Sequence, residues 1–260
     1  MTAFYNKPNE LSNNLFIKKM SEKLISNDEI PADLYTEYNV KRGLRNANGT
    51  GVLVGLTKIS HVEGYKVNEN KEKIAVPGKL YYRGYNVEDI VNSFIEEKRF
   101  GFEEITYLLL FGELPNKKQL EDFQHLLGER RELPRGFAWD MILVAPSSSL
   151  MNKLARSVLA LYSYDDNPDD TSIENVLRQS IELIGYFPSL IAYAYQAKRS
   201  FYDNESLHLH YPIPELGTAE NILRMIRPTG EFTQLEAHLL DLSLILHAEH
   251  GGGNNSSFTT

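Results

Sequence analysis

The hydrophobic positions of this chain follow two periods. Between residues 51 and 85 they come in short runs and alternations, and after residue 86 they recur every three or four, the period of a helix. GVLVGLTKISHVEGYKV (51–67) and KIAVPGKLYYRGY (73–85) read as strands, and the polar stretch 68–71 between them predicts a small hairpin. Asn86 with Asp89 opens a helix at VEDIVNSFIEEK. FEEITYLLLFG (102–112) is a second helix, closed by Gly112 and Pro115. Asn116 and Gln119 form a capping box ahead of KQLEDFQHLLGERREL. Leu150, Leu154, Val158 and Leu161 set the register of a helix within 147–165. Thr171 with Glu174 predicts a second box, starting a long helix through Gln196 with a kink at Pro188. After a loop at 200–216, Thr218 is expected to cap TAENILRMIR, and Thr233 with Glu236 to cap the last helix.

That last helix leads into LLDLSLILHAEHGGGNNSSFTT (239–260). Leu235, Leu239, Leu242 and Leu246 step by four, three and four, so they share one stripe, while Leu240, Leu244 and Ile245 fill much of the other side. A helix apolar nearly all round is expected to be buried, with His250 continuing the stripe. Ahead of the hairpin, LFIKKMSEKLIS predicts a partly charged helix that Pro31 ends, and NANGTG (46–51) a turn. The expected fold is mainly α with a small β hairpin near residues 51–85. An N-terminal helical arm occupies 1–50 and a helical domain 51–260.

Composition narrows the function. At 42% hydrophobic and 24% charged, 260 residues have ample material for a core. A formal charge of −8 argues against nucleic acid as the main partner. The absence of cysteine excludes disulfides, thiolate zinc sites and cysteine nucleophiles. No stretch reaches the roughly 18 apolar residues of a membrane span, and 1–16 lacks a signal-peptide core, so a cytoplasmic protein is expected.

The candidate chemistry lies at the end of the last helix. His247 and His250 are three apart and could face one metal ion. The zincin pattern instead needs four, with glutamate directly after the first histidine, and here Ala248 follows His247. No metal is assigned. The plain alternative is a pair of satisfied histidines at a helix end. Against it stand Gly251, Gly252 and Gly253, costly in any regular element and useful where backbone approaches a ligand. An imidazole there can donate to a carbonyl oxygen that gains negative charge. Arg224 and Arg227 share a helix face and suit a carboxylate, although cations near a helix C-terminus need no ligand to explain them. His61, His125, His208, His210 and His238 carry no recognisable spacing.

Taken together, GKLYYRGYNVEDI (78–90), FEEITYLLLFGELP (102–115), the stretch 150–170, LIGYFPSLIAYAYQ (183–196) and above all LHAEHGGGNNSSFT resemble the citrate synthase family in this order and spacing. The resemblance implies a citrate synthase-like helical fold, truncated before a small domain is complete. It implies a Claisen-type condensation of acetyl-CoA with oxaloacetate and water, giving citrate and CoA, without a metal or resident cofactor, acetyl-CoA being a co-substrate. His250 would hydrogen-bond the thioester oxygen as the enolate forms. Asn254, His247 and Arg224 would bind the oxo acid, Arg224 standing where many members carry a histidine. Glu249 and Gly251 replace the more usual aspartate and glutamate. The family's second histidine and its proton-abstracting aspartate are expected beyond residue 260, which would leave this N-terminal portion inactive alone. A homodimer is implied. A 2-methylcitrate synthase using propionyl-CoA, or a non-catalytic helical dimerisation fragment, are the alternatives.

Overall fold

The computed structural model describes residues 31–37, 43, 45, 46, 48, 49, 58–70 and 72–250. Contacts divide the chain into two units, 1–56 and 57–260. In the first lie a short helix α1 (Ala32–Glu37) and a turn closed by the Gly49 amide donating to Asn46 O at 2.9 Å. The helix expected over 15–24 lies outside the described residues, as do Asn254 and the three glycines.

The second unit begins with a three-stranded antiparallel sheet, β1 (Ser60–Val67), β2 (Lys73–Tyr82) and β3 (Tyr85–Asn86), in that order. The register passes from Glu63↔Lys79 to Tyr65↔Ala75, so β2 carries two extra residues opposite a single step of β1's side-chain alternation. That bulge holds Pro77 and Gly78, a proline with no amide to give the ladder and a residue without a side chain. Tyr82 and Tyr85 pair across Arg83 and Gly84, whose φ values are 49° and 91°. Two consecutive left-handed residues make the tight turn whose twist matches the strands.

Seven helices follow: α2 (Val87–Glu97), α3 (Phe102–Phe111), α4 (Lys117–Glu129), α5 (Leu150–Leu161), α6 (Ile173–Tyr202), α7 (Thr218–Ile226) and α8 (Gln234–Leu246). The boxes at Asn116–Gln119 and Thr233–Glu236 both form. Two caps differ from expectation. Ser172, not Thr171, caps α6, because its hydroxyl reaches the Asn175 amide while Asn175 Nδ2 donates back to Asn167 O and Asp170 O. Gly217, not Thr218, precedes α7; the Glu220 carboxylate takes the Gly217 amide, and the Thr218 amide donates to a distant glutamate. Helix α6 runs through Pro188 and ends six residues beyond Gln196. A π-helical turn, Ala138–Leu143, was not legible in the hydrophobic pattern. It is held by the buried Lys153, whose Nζ donates to the carbonyls of Met141 and Ala145.

Two apolar clusters form the core. Leu133, Phe137, Ile142, Leu161, Leu190 and Met225 centre one on α6. Tyr82, Phe94, Ile105, Leu108 and Ile245 build the other from the base of the hairpin, α2, α3 and α8. Helix α6 crosses the segment after α4 closely: a Cβ on Gly185 would lie 2.8 Å from Arg130 O, and one turn on, buried Ser189 Oγ donates to Arg131 O at 2.7 Å.

These neighbours set two expectations for unfolding in denaturant. Gly185→Ala should destabilise by about 1–3 kcal/mol, since the obstacle is backbone that cannot rotate away. Ser189→Ala, which strands a buried carbonyl, should cost about 1 kcal/mol. An unchanged midpoint for Gly185→Ala would show that the crossing is looser than its geometry.

Candidate active site

Helix α8 presents the candidate residues, and its orientation is not the one its leucines suggest. Leu235, Leu239 and Leu246 are 69%, 57% and 52% exposed, while the buried line is Ala237, Asp241 and Ile245. The physical reason is Asp241. Its two carboxylate oxygens accept from the amides of Gly101 and Phe102, at 2.8 and 3.2 Å, at the N-terminus of α3. Free amides and the positive end of a helix are suitable partners for a buried anion. Turning the leucines inward would take that carboxylate away from its donors.

The capping continues from helix to helix. Glu103 of α3, itself 2% exposed, accepts from the Thr218 amide at the N-terminus of α7 at 2.7 Å and faces the Arg131 guanidinium at 3.6 Å. At the other end of α7, Arg227 grips Glu236 of α8 through both nitrogens, at 2.6 and 3.1 Å. So α8 caps α3, α3 caps α7, and α7 is clamped back onto α8.

Beyond α8 the chain makes a turn that carries both histidines. His247 Nδ1 donates to Ser243 O at 2.7 Å, which satisfies a carbonyl of the last turn and leaves Nε2 pointing away. The His250 amide donates to Glu249 Oε1 at 2.8 Å, and His250 itself is exposed. Tyr82, wholly buried, reaches this turn from β2: its hydroxyl donates to Ile245 O at 2.7 Å and lies 3.3 Å from the Glu249 amide. Burial pushes the Tyr82 phenol above its ordinary value, so it stays protonated as a donor.

His247 and His250 therefore share one turn; Arg224 lies on α7. It sits near the α7–α8 joint, with Nη1 donating to Tyr211 O at 2.6 Å. Helix α8, 13 residues long, puts roughly 20 Å between that joint and the histidine turn. The bond to Tyr211 O ties Arg224 to the loop before α7. Among the described residues no three acidic or histidine side chains gather as a metal site, and no helix is long and apolar enough to cross a membrane. A cleft of about 640 Å³ between the end of α5 and the start of α6 contains none of the candidates, and its Arg178 is already saturated by Asp165, Asn175 and Glu182. Sequence reasoning missed Tyr82, Glu103 and Asp241. The available signal for Asp241 was an acid inside an otherwise apolar helix.

This mainly helical body with a small antiparallel sheet is similar in fold to solved citrate synthases. That from Pyrobaculum aerophilum aligns with a TM-score of 0.62 at 27% identity, over 81% of this chain and 50% of that one. Residues 44–260 match the family described as citrate synthase, C-terminal domain, and the chain belongs to the citrate synthase family. It is 30% identical over 212 residues to the citrate synthase of Saccharolobus solfataricus, covering 81% of this chain and 48% of that protein. With the 2-methylcitrate synthase 2 of Corynebacterium glutamicum it shares 27% identity, over 86% of this chain and 52% of the relative. The chain thus spans about half the length of these relatives.

Two carboxylates give opposite pH responses. Burial, reinforced by Glu103, pushes Asp241 up to about 6 against the pull of the two amides, so the folded state holds its proton more readily than the unfolded chain. Its contribution to stability should fall as pH rises from about 4 to 6. Glu236 is held at about 2, chiefly by Arg227, so its contribution is present above about 4.5 and lost as pH falls toward 2. Denaturant midpoints of Asp241→Asn and the parent, compared across pH 4 to 7, should converge with rising pH. A constant difference would contradict the assignment.

Proposed function

We propose that this protein serves the condensation of acetyl-CoA with oxaloacetate and water, yielding citrate and CoA. The observation that carries the reading is the family membership of 44–260 together with a histidine presented, exposed, on a turn fixed at a helix C-terminus. In that reaction the acetyl methyl carbon loses a proton, attacks the keto carbon of the oxo acid, and the thioester is then hydrolysed. His250 donates a hydrogen bond to the thioester oxygen, where negative charge collects as the enolate forms. Asn254 lies beside the oxo acid. His247, its Nδ1 proton committed to Ser243 O, offers Nε2 to the same substrate. Arg224 belongs to the same set, its guanidinium suited to a carboxylate of the oxo acid.

Propionyl-CoA is the competing acyl donor, and the 27% identity to a 2-methylcitrate synthase favours keeping it in view. One methylene is worth only about 1–3 kcal/mol in a pocket, so both thioesters belong in the assay. We also propose a cytoplasmic homodimer that needs no metal. Helix α5 supports the dimer, since Met151 and Leu159 are each 76% exposed. A non-catalytic dimerisation module remains the reading for the chain in isolation.

The proton-abstracting carboxylate is assigned to no residue of this chain, which spans half its relatives' length. The 260-residue chain by itself should therefore release no thiol from acetyl-CoA and oxaloacetate, and ordinary turnover would overturn that. In the condensing protein that contains it, His250→Ala should lower kcat by about 10²–10³-fold with the fold unchanged, as for loss of one oxyanion donor. Near-normal kcat would remove His250 from the mechanism. Arg224→Ala should raise the KM for the oxo acid by about 10-fold or more, as for loss of a hydrogen bond to a charged group, and an unchanged KM would remove it from the site.

A further inference from the structure

We propose that Tyr82 is the positioning residue of this site: its hydroxyl sets the turn on which His250 is carried. The inference rests on the role given to His250 above, and it concerns how that imidazole is held. A helix C-terminus leaves its last carbonyls without partners, and the turn that follows is the part of a helix most prone to fray. After α8 the backbone's own bonds are long, with His247 N to Ser243 O and Ala248 N to Ile245 O each at 3.2 Å.

Tyr82 closes this turn from outside. One hydroxyl has one proton to give and lone pairs to receive. It gives the proton to Ile245 O at 2.7 Å and receives from the Glu249 amide at 3.3 Å, with Glu249 O also near at 3.1 Å. A single oxygen thus bridges the last turn of α8 and the residue directly before His250.

The bridge is useful only if the oxygen itself cannot move, and three features hold it. The ring is 0% exposed in the cluster with Phe94, Ile105 and Leu108. The strand ends there in the two-residue turn of Arg83 and Gly84, both at positive φ. Arg83 then donates from Nε and Nη2 to Leu109 O, at 3.1 and 2.6 Å, in the last turn of α3. Adjacent residues, the last of β2 and the first of the turn after it, therefore cap the C-termini of two different helices. Because Asp241 fixes the N-terminus of α3 to the middle of α8, the two helices and the strand form one rigid frame behind the histidine turn. A tyrosine that merely found a partner for a buried hydroxyl would need one acceptor. This one spans the turn.

Tyr82→Phe keeps the ring and removes only the bridge. In the 260-residue chain, amide hydrogen exchange at residues 247–250 should quicken at least about tenfold, while α2 and α3 keep their protection. Unchanged exchange at 247–250 overturns the proposal, and so does a uniform rise that includes α2 and α3. In the condensing protein the same variant should lower kcat by about 10-fold or more, as expected when a catalytic group is misplaced by a fraction of an ångström, with the KM for the oxo acid within about twofold. A kcat equal to the parent's overturns the catalytic part. His250→Ala, run alongside, separates the two readings. If it is fully active, the function proposed above fails and the exchange result still decides the role of Tyr82. If it is inactive while Tyr82→Phe is fully active, only the present proposal falls.

Discussion

A carboxylate taken out of water must find donors at once, and this fold depends on how two of them do so. Asp241 and Glu103 are both almost completely buried, and each ends on the N-terminus of a helix other than its own. An ion pair alone repays burial poorly. Backbone amides at a helix start are better partners, because they are fixed, unpaired and already at the positive end of a dipole. Since each carboxylate reaches across to the next helix, α3, α7 and α8 cannot shift independently without exposing a charge to an apolar interior. The rotation of α8 about its own axis follows, and with it the place where the chain leaves that helix.

What could be read from the sequence is what short stretches of chain decide for themselves. The boxes at Asn116–Gln119 and Thr233–Glu236, the cap at Asn86 and the stop at Gly112 are local bargains between neighbouring residues, and they form. The hairpin was legible for the same reason. Where two local choices were nearly equal, as between Thr171 and Ser172, the sequence could not rank them. Asn175 decided it by bonding back into the preceding loop. The buried face of α8 was beyond any periodicity argument. Its leucines are as apolar as its true core line, and the residue that settles the matter finds its partner 140 positions away.

The candidate site divides in the same manner. His247 and His250 were visible because their spacing and the following glycines are a local signature, and the family resemblance sharpened it. Arg224 has no such local signature, because two arginines three apart near a helix C-terminus look the same with or without a ligand. Tyr82 stood in a quoted motif without a role, since its partner carbonyl belongs to a helix more than 160 residues later.

The hairpin that delivers Tyr82 has another side. Among the described residues, the helices engage its inner end. Towards its tip both faces are open, with Val62, Tyr65, Val67 and Ile74 about half exposed, and a two-residue bulge absorbs the register change between tip and base. Mechanically, that isolates the working end from whatever happens beyond it. In evolutionary terms it makes the outer ladder a region where residues can be gained or lost in pairs, for alternation is preserved by even steps. Residues added to or removed from this arm in pairs would leave the tyrosine at its root facing the same way.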